Sequence, residues 1–170
     1  MDTPMAEAAR YETTTTRQSD REVVITRTFN GPARLVFKAW TTPELLMRWW
    51  TPPSFGITFI SCDADVRTGG TYRFVFGHPQ FDQPMAFHGR YLEVDPPTKL
   101  VWTNEEGSEG SVTTVTFEER DGKTLLVLHD LYPSKAALDE AMASGGIGGF
   151  PEQFEQLDIL LGSLPSAGSA

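Results

Sequence analysis

The pattern that organises this chain lies near its C-terminal end. Phe150, Phe154, Leu157, Leu161 and Leu164 recur at steps of 4, 3, 4 and 3 residues, the spacing that puts side chains on one stripe of a helix. Ile159 and Leu160 widen the apolar side, while Glu152, Gln153, Glu155, Gln156 and Asp158 occupy most of the remaining surface. Pro151 suits a first helical turn, where its missing N–H costs nothing, and Glu152 complements the helix dipole there. Gly145, Gly146, Gly148 and Gly149 form a pliable entry. The predicted helix runs from Gly149 to Leu164.

Upstream, the apolar period changes from helical to two. Glu22 to Phe29 alternates and is rich in Val, Ile and Thr, so it is a first strand. Asn30-Gly31-Pro32 breaks it; Asn30 or Gly31 can cap a short helix with Pro32 in its first turn, and Ala33 to Trp40 then buries Leu35, Val36, Phe37 and Trp40 in part. Thr41 or Thr42 caps a second short helix with Pro43 at its first position, and Leu45, Leu46, Trp49 and Trp50 are its apolar residues. Six strands follow: Ile57–Val66, Thr71–Phe76, Met85–Val94, Lys99–Thr103, Ser111–Glu119 and Thr124–Asp130. Thr68-Gly69-Gly70, Asp95-Pro96-Pro97 and Asp121-Gly122 are turns between them. Gly89, inside a strand, marks a bulge or a close backbone approach. Ser134 caps a short helix through Ala143. Six consecutive strands with short connections predict an antiparallel sheet, hence an α+β domain.

The final helix packs across that sheet. Two readings stand at this point: a solid core, or a sheet that wraps the helix and leaves a cavity between them. Residues 1–20, with the Thr13–Thr16 run and scattered charges, have little to bury and are expected to be a disordered tail. Residues 21–164 form one domain, and 165–170 a flexible small-residue tail.

Composition narrows the function classes. The formal net charge of −9 disfavours nucleic acid and anionic membrane surfaces as partners. Cys62 is the single cysteine, so no intrachain disulfide forms, and this fits a reducing cytoplasm. No apolar run approaches the ~20 residues of a membrane helix, and the N-terminal residues lack a signal-peptide pattern.

The order of elements, together with particular residues, resembles the helix-grip proteins of the START and Bet v-like superfamily. The resemblance is closer to the bacterial single-domain branch of the family homologous to the activator of the heat shock protein 90 ATPase. The residues that carry it are Ala39-Trp40-Thr41-Thr42-Pro43-Glu44-Leu45-Leu46 with Trp49-Trp50, then Gly69-Gly70-Thr71-Tyr72-Arg73-Phe74. They continue with Gly89-Arg90-Tyr91-Leu92-Glu93-Val94, Pro96-Pro97 and Leu100-Val101-Trp102-Thr103, and Val112 to Phe117 and Gly122 to Leu128 agree in type and spacing. The match covers about residues 22 to 163. The resemblance implies a curved antiparallel sheet gripping the C-terminal helix, with an apolar pocket between them. The family's last helix usually opens with Gly-Trp and a Leu four residues on. Phe150 and Phe154 stand there in this chain and keep an aromatic lid.

Candidate ligand contacts are therefore aromatic: Trp49 (or Trp50), Tyr72, Phe74, Phe76, Phe87, Tyr91, Trp102, Phe150 and Phe154. Small-molecule sites need such an apolar wall with a few polar groups, and the Tyr91 hydroxyl and Trp102 N–H can orient a ligand. A register error of one residue would exchange Phe87, Gly89 and Tyr91 for His88, Arg90 and Leu92. Arg73, Arg90 and Glu93 are expected on the solvated face. His78, His88 and His129 lack metal-ligand spacing, and no metal or cofactor is expected. Asp130 adjoins His129, but neighbouring strand residues point to opposite faces, so the two do not form a pair. Cys62 has no evident base to activate it. Both faces of Leu125 to Leu128 are apolar, which allows a homodimer or cover from the same chain.

The expected function is binding of a small apolar molecule in the cytoplasm. The alternatives are an enzyme of cyclase or hydrolase type using the same pocket, which would need Arg73, Arg90, His88, His129 or Tyr91 to converge there, and a module that stimulates a chaperone ATPase.

Overall fold

The computed structural model describes residues 13–51, 54, 56–80, 82–105, 110–143 and 150–164. Among these residues eight strands, β1 Thr14–Arg17, β2 Glu22–Phe29, β3 Thr58–Ala64, β4 Thr71–Gly77, β5 Met85–Asp95, β6 Lys99–Asn104, β7 Ser111–Arg120 and β8 Lys123–Leu131, form one sheet. Their order is β1-β2-β8-β7-β6-β5-β4-β3, with every neighbouring pair antiparallel. Among the described residues four helices accompany the sheet: α1 Ala33–Thr41, α2 Pro43–Trp49, α3 Lys135–Ala143 and α4 Phe150–Ser163. The architecture is the α+β helix grip, a curved sheet closed around the C-terminal helix.

Local chemistry explains most boundaries. At the β7–β8 turn both Asp121 (φ 56°) and Gly122 (φ 76°) are left-handed, the pairing that a two-residue hairpin turn requires. The Ser134 hydroxyl accepts the Ala137 N–H at 3.1 Å and caps α3. The α1 cap differs from the sequence expectation. Pro32 occupies the cap position without a side-chain bond, and the Glu119 carboxylate of β7 accepts the Ala33 N–H at 2.8 Å. A residue 86 positions away thus supplies the acceptor. Gly89 is a close approach and not the bulge: a Cβ there would stand 1.9 Å from the Thr103 carbonyl oxygen. The irregularities fall instead between Phe59 and Ser61 and between Tyr91 and Glu93.

Two expectations need correction. Thr14–Arg17, assigned to the tail, is a strand whose residues pair with Val23–Thr26 of β2; β-branched threonines suit an exposed edge. Residues 1–12 and 165–170 of the two expected tails lie outside the described residues, as do 144–149 at the glycine-rich entry. On α4, Ile159 is 75% exposed and faces away from the sheet. The buried side is Gln153, Phe154, Leu157, Leu160 and Leu161, with Phe150 and Leu164 half-buried.

The concave face of the sheet divides into two regions. Toward β2, β7 and β8 it is filled. Val23, Ile25 and Phe29 on β2, Val115 and Phe117 on β7, and Leu126 and Leu128 on β8 pack with Val36 and Phe37 of α1 and Phe154 and Leu157 of α4. Phe29 meets Phe154 edge-on at 5.3 Å and Phe37 meets Phe117 at 5.4 Å. Arg27, also inward, reaches Asp158 of α4 at 3.5 Å and lies over the Phe29 ring. Toward β4, β5 and β6, and at the Thr113 and Asp130 ends of β7 and β8, the face opens into a cavity.

Candidate functional site

The alternation of β4, β5 and β6 sets the outer wall of that cavity. Tyr72, Phe74 and Phe76 share one face of β4, and Tyr72 stands opposite Gly89 and Phe74 opposite Phe87 on β5. The register resolves the parity question: Gly89 and Tyr91 are buried, whereas His88, Arg90 and Leu92 are exposed. Farther across, the pairings Tyr91–Trp102, Trp102–Thr113 and Thr113–Asp130 place four residues in one transverse row over β5, β6, β7 and β8. Such cross-strand partners lie about 5 Å apart on one face. Helices close the other side: Trp40 of α1, Leu46 of α2, Trp50 just beyond it, Ala137 and Ala141 of α3, and Phe150 and Gln153 of α4.

The result is a cavity of about 430 Å³. Seven of the nine sequence-predicted residues reach its wall: Tyr72, Phe74, Phe76, Phe87, Tyr91, Trp102 and Phe150. Trp49 and Phe154 do not. Both are fully buried in the filled region, where the Trp49 indole N–H donates to the Ala39 carbonyl at 3.0 Å and Phe154 packs on Phe29 and Trp40. Trp50, one residue on, takes the wall position. Helical geometry turns adjacent residues by about 100°, and composition does not say which of two tryptophans faces in.

Side chains hold the helical wall in place. Gln153 donates to the Trp50 carbonyl, and Gln156 donates to the Thr51 carbonyl at 2.7 Å. The Glu152 carboxylate accepts the Ser54 N–H at 2.8 Å and its hydroxyl at 2.5 Å. Residues read from sequence as the polar surface of α4 are thus the fasteners between α4 and the segment after α2. Trp40 joins the two regions: its ring lies 4.8 Å from Trp49 and 5.8 Å from Trp102. Its buried indole N–H has no hydrogen-bond partner among the described residues.

One end of the cavity is polar, and sequence reasoning missed it. Asn104, Ser111, Thr113, Asp130 and Tyr132 all reach the wall there. Asn104 Nδ2 donates to Ser111 Oγ at 2.9 Å and to Thr113 Oγ1 at 3.2 Å, and the Thr113 hydroxyl donates to Asp130 Oδ1. The Tyr72 hydroxyl donates to the Thr103 carbonyl at 2.7 Å and lies 3.2 Å from Asn104 Oδ1. Asp130 is 6% exposed. Burial pushes its carboxyl up to about 6, against the opposing pull of the Thr113 hydroxyl and the His129 charge. Burial also pushes the Tyr91 phenol up, and Tyr132 rises by burial and then by the charge of Asp130. The signal was present in the alternation Thr124, Leu126, Leu128, Asp130, which carries an acid onto the apolar face of β8.

The remaining candidates stand outside this site. His129 faces away from Asp130 and meets Glu22 at 2.8 Å. Arg90 pairs with Glu105 at 2.8 Å and Glu93 with Lys99 at 3.4 Å, while Arg73 and His88 are exposed on the outer face. Of the five groups an enzyme was expected to bring together, only Tyr91 faces the cavity. The Cys62 thiol is half-buried, and burial, with Asp63 and Glu44 nearby, pushes it up to about 12, so it is a protonated, weak nucleophile. Among the described residues no group of three His, Cys, Asp or Glu side chains could hold a metal ion, and no helix is long and apolar enough to cross a membrane.

Comparison with known proteins accords with this architecture. The sequence model for "Activator of Hsp90 ATPase homolog 1-like protein" matches residues 30–162. No curated protein matches. Among solved structures, a Rhodobacter sphaeroides protein is 23% identical with a TM-score of 0.82, over 91% of this chain and 100% of that one. A Mycobacterium smegmatis protein is 27% identical with a TM-score of 0.75, over 89% and 98%. An AHSA1-like protein from Aeromonas hydrophila is 18% identical with a TM-score of 0.67, over 86% and 99%. The likeness at these identities is one of fold.

Proposed function

This chain belongs to the family of activator of Hsp90 ATPase homolog 1-like proteins, and from that premise we propose that it binds a small hydrophobic molecule between its sheet and its C-terminal helix. The observation that carries the reading is the cavity itself. At about 430 Å³ it falls within the ~300–1,000 Å³ of small-molecule sites, which are mostly apolar with a few convergent polar groups. Half of its described wall is aromatic, and Asn104, Ser111, Thr113 and Asp130 gather at one end, with Gln153 on the helical side. A core that merely failed to close would be expected to scatter its polar groups or to exclude them.

Native mass spectrometry of the purified protein, followed by denaturing extraction, tests the reading. A small molecule released at a near-equal ratio, or a fluorescent hydrophobic probe taken up with one-to-one stoichiometry, is the expected result. A protein that carries nothing and takes up no probe would falsify it. Cytoplasmic placement belongs to the same proposal and is supported by the single cysteine.

A further inference from the structure

The described wall of the cavity carries one sign of charge. Among the described residues that line it, Asp130 is the one acid, and no lysine, arginine or histidine is present. Asp130 forms its side-chain hydrogen bond with Thr113, and it is paired with no cation among the described residues. Buried carboxylates are ordinarily paired with a cation or neutralised, because desolvating the charge is costly. This one is instead held in place by a relay of side chains, Asn104 to Thr113 to Asp130.

A second observation is independent of Asp130. Trp40, Trp50, Trp102, Tyr72 and Tyr91 line the same space. Aromatic faces attract cations through their ring quadrupoles, tryptophan most strongly, and gain strength when water is excluded. Trp102 and Tyr91 lie in the same transverse row of the sheet as Asp130. The overall charge of −9 also draws cations toward the protein and repels anions.

Building on the ligand-binding reading above, we infer that the cavity takes an organic cation: a mostly apolar molecule whose ammonium group sits against the Asp130 carboxylate, with its apolar body along the aromatic wall. Fatty acids and other apolar carboxylates are disfavoured, since their charge would meet Asp130 with no basic side chain on the described wall to offset it. The elevated proton affinity of Asp130 is the cost that a cationic ligand would relieve.

The experiment is isothermal titration of decylamine, decanol and decanoate into the full chain near neutral pH. The three probes share one apolar chain and differ in the charge of the head. Decylamine should bind more than about tenfold tighter than decanoate, with decanol between them. In Asp130→Asn, an isosteric change, decylamine should fall to within about threefold of decanol. Retained decanol binding shows that the variant is folded. If it does not fold, Thr113→Val, which removes the hydroxyl that helps keep Asp130 ionised, should narrow the gap between amine and alcohol in the same direction. Decanoate binding as tightly as decylamine overturns the inference. So does an amine advantage that survives Asp130→Asn, which would reflect the surface charge alone. If decanol binds but the amine has no advantage, the inference fails and the apolar pocket stands. If none of the three binds, both fail.

Discussion

The filled and the open regions of the concave face are built from the same kinds of residue. Phe29, Phe117, Trp49 and Phe154 pack the first; Tyr72, Phe74, Trp50 and Phe150 line the second. Hydrophobicity therefore does not separate them. What separates them is where α4 and α1 touch the sheet. Phe154 reaches Phe29 and Trp40, and space is consumed. One turn earlier, Phe150 reaches Phe154 at 5.4 Å but stands on the cavity wall, and space is left. A cavity here is a matter of helix placement over a curved sheet.

The largest effect that would break this contrast is Phe154→Ala. The side chain is fully buried between Phe29, Trp49 and Trp40, so its truncation should cost about 3–5 kcal/mol. Urea unfolding monitored by tryptophan fluorescence reads this directly. A loss as small as that at an exposed position would mean that the two regions are equally loose.

Next comes Asp130, where the sign is opposite. Its carboxyl titrates near 6 in the folded chain, above the ordinary aspartate value of 3.8. The folded state therefore holds the proton more tightly, and this stabilisation is fully present below the ordinary value and lost as pH rises through about 6. The difference corresponds to about 3 kcal/mol. The groups that act on it are Thr113 and the outward His129, both opposing the burial; no lysine or arginine joins them on the described wall. Asp130→Asn should stabilise the protein near neutral pH by an amount of that order, and the gain should disappear in acid. Denaturant midpoints across the pH range test it, and a variant less stable than the parent at neutral pH would refute the assignment.

A smaller cost, about 1–2 kcal/mol, is expected for Phe87→Ala. Phe87 is half-buried on the cavity wall and leans on Phe76 at 5.4 Å. The change enlarges space that already exists, so probe affinity should shift more than stability. A cost equal to that of Phe154→Ala would erase the distinction between lining and filling.

The smallest effect belongs to His129→Gln. The His129–Glu22 contact is on the outer face, and the histidine holds the Glu22 carboxyl below its ordinary range. Exposed pairs contribute little, so the unfolding midpoint and probe binding should both be unchanged. A clear loss of probe binding would place His129, against the geometry, in contact with the site.

The sequence by itself determined the elements and most of their faces. Period-two runs became strands, the Asp121-Gly122 pair became the predicted hairpin, and the stripe Phe154, Leu157, Leu161 became the buried side of α4, because these depend on local backbone preference and on alternation that any packing must respect. Six of the nine expected wall positions followed from the same alternation on β4, β5 and β6, and a seventh, Phe150, from the helical stripe of α4. Tertiary structure alone decided the rest. Whether Trp49 or Trp50 faces the cavity depends on how α2 is rotated against α4, which the Gln153 and Gln156 bonds fix from more than a hundred residues away. The α1 cap comes from Glu119, and Thr14–Arg17 is a strand only because β2 offers an edge. Asp130 was legible as lying on the face opposite His129, but not as inward, since both faces of Leu125 to Leu128 are apolar, nor as the polar end of a cavity. That role required Asn104, Ser111 and Thr113 to be brought beside it by a sheet register that no local pattern encodes.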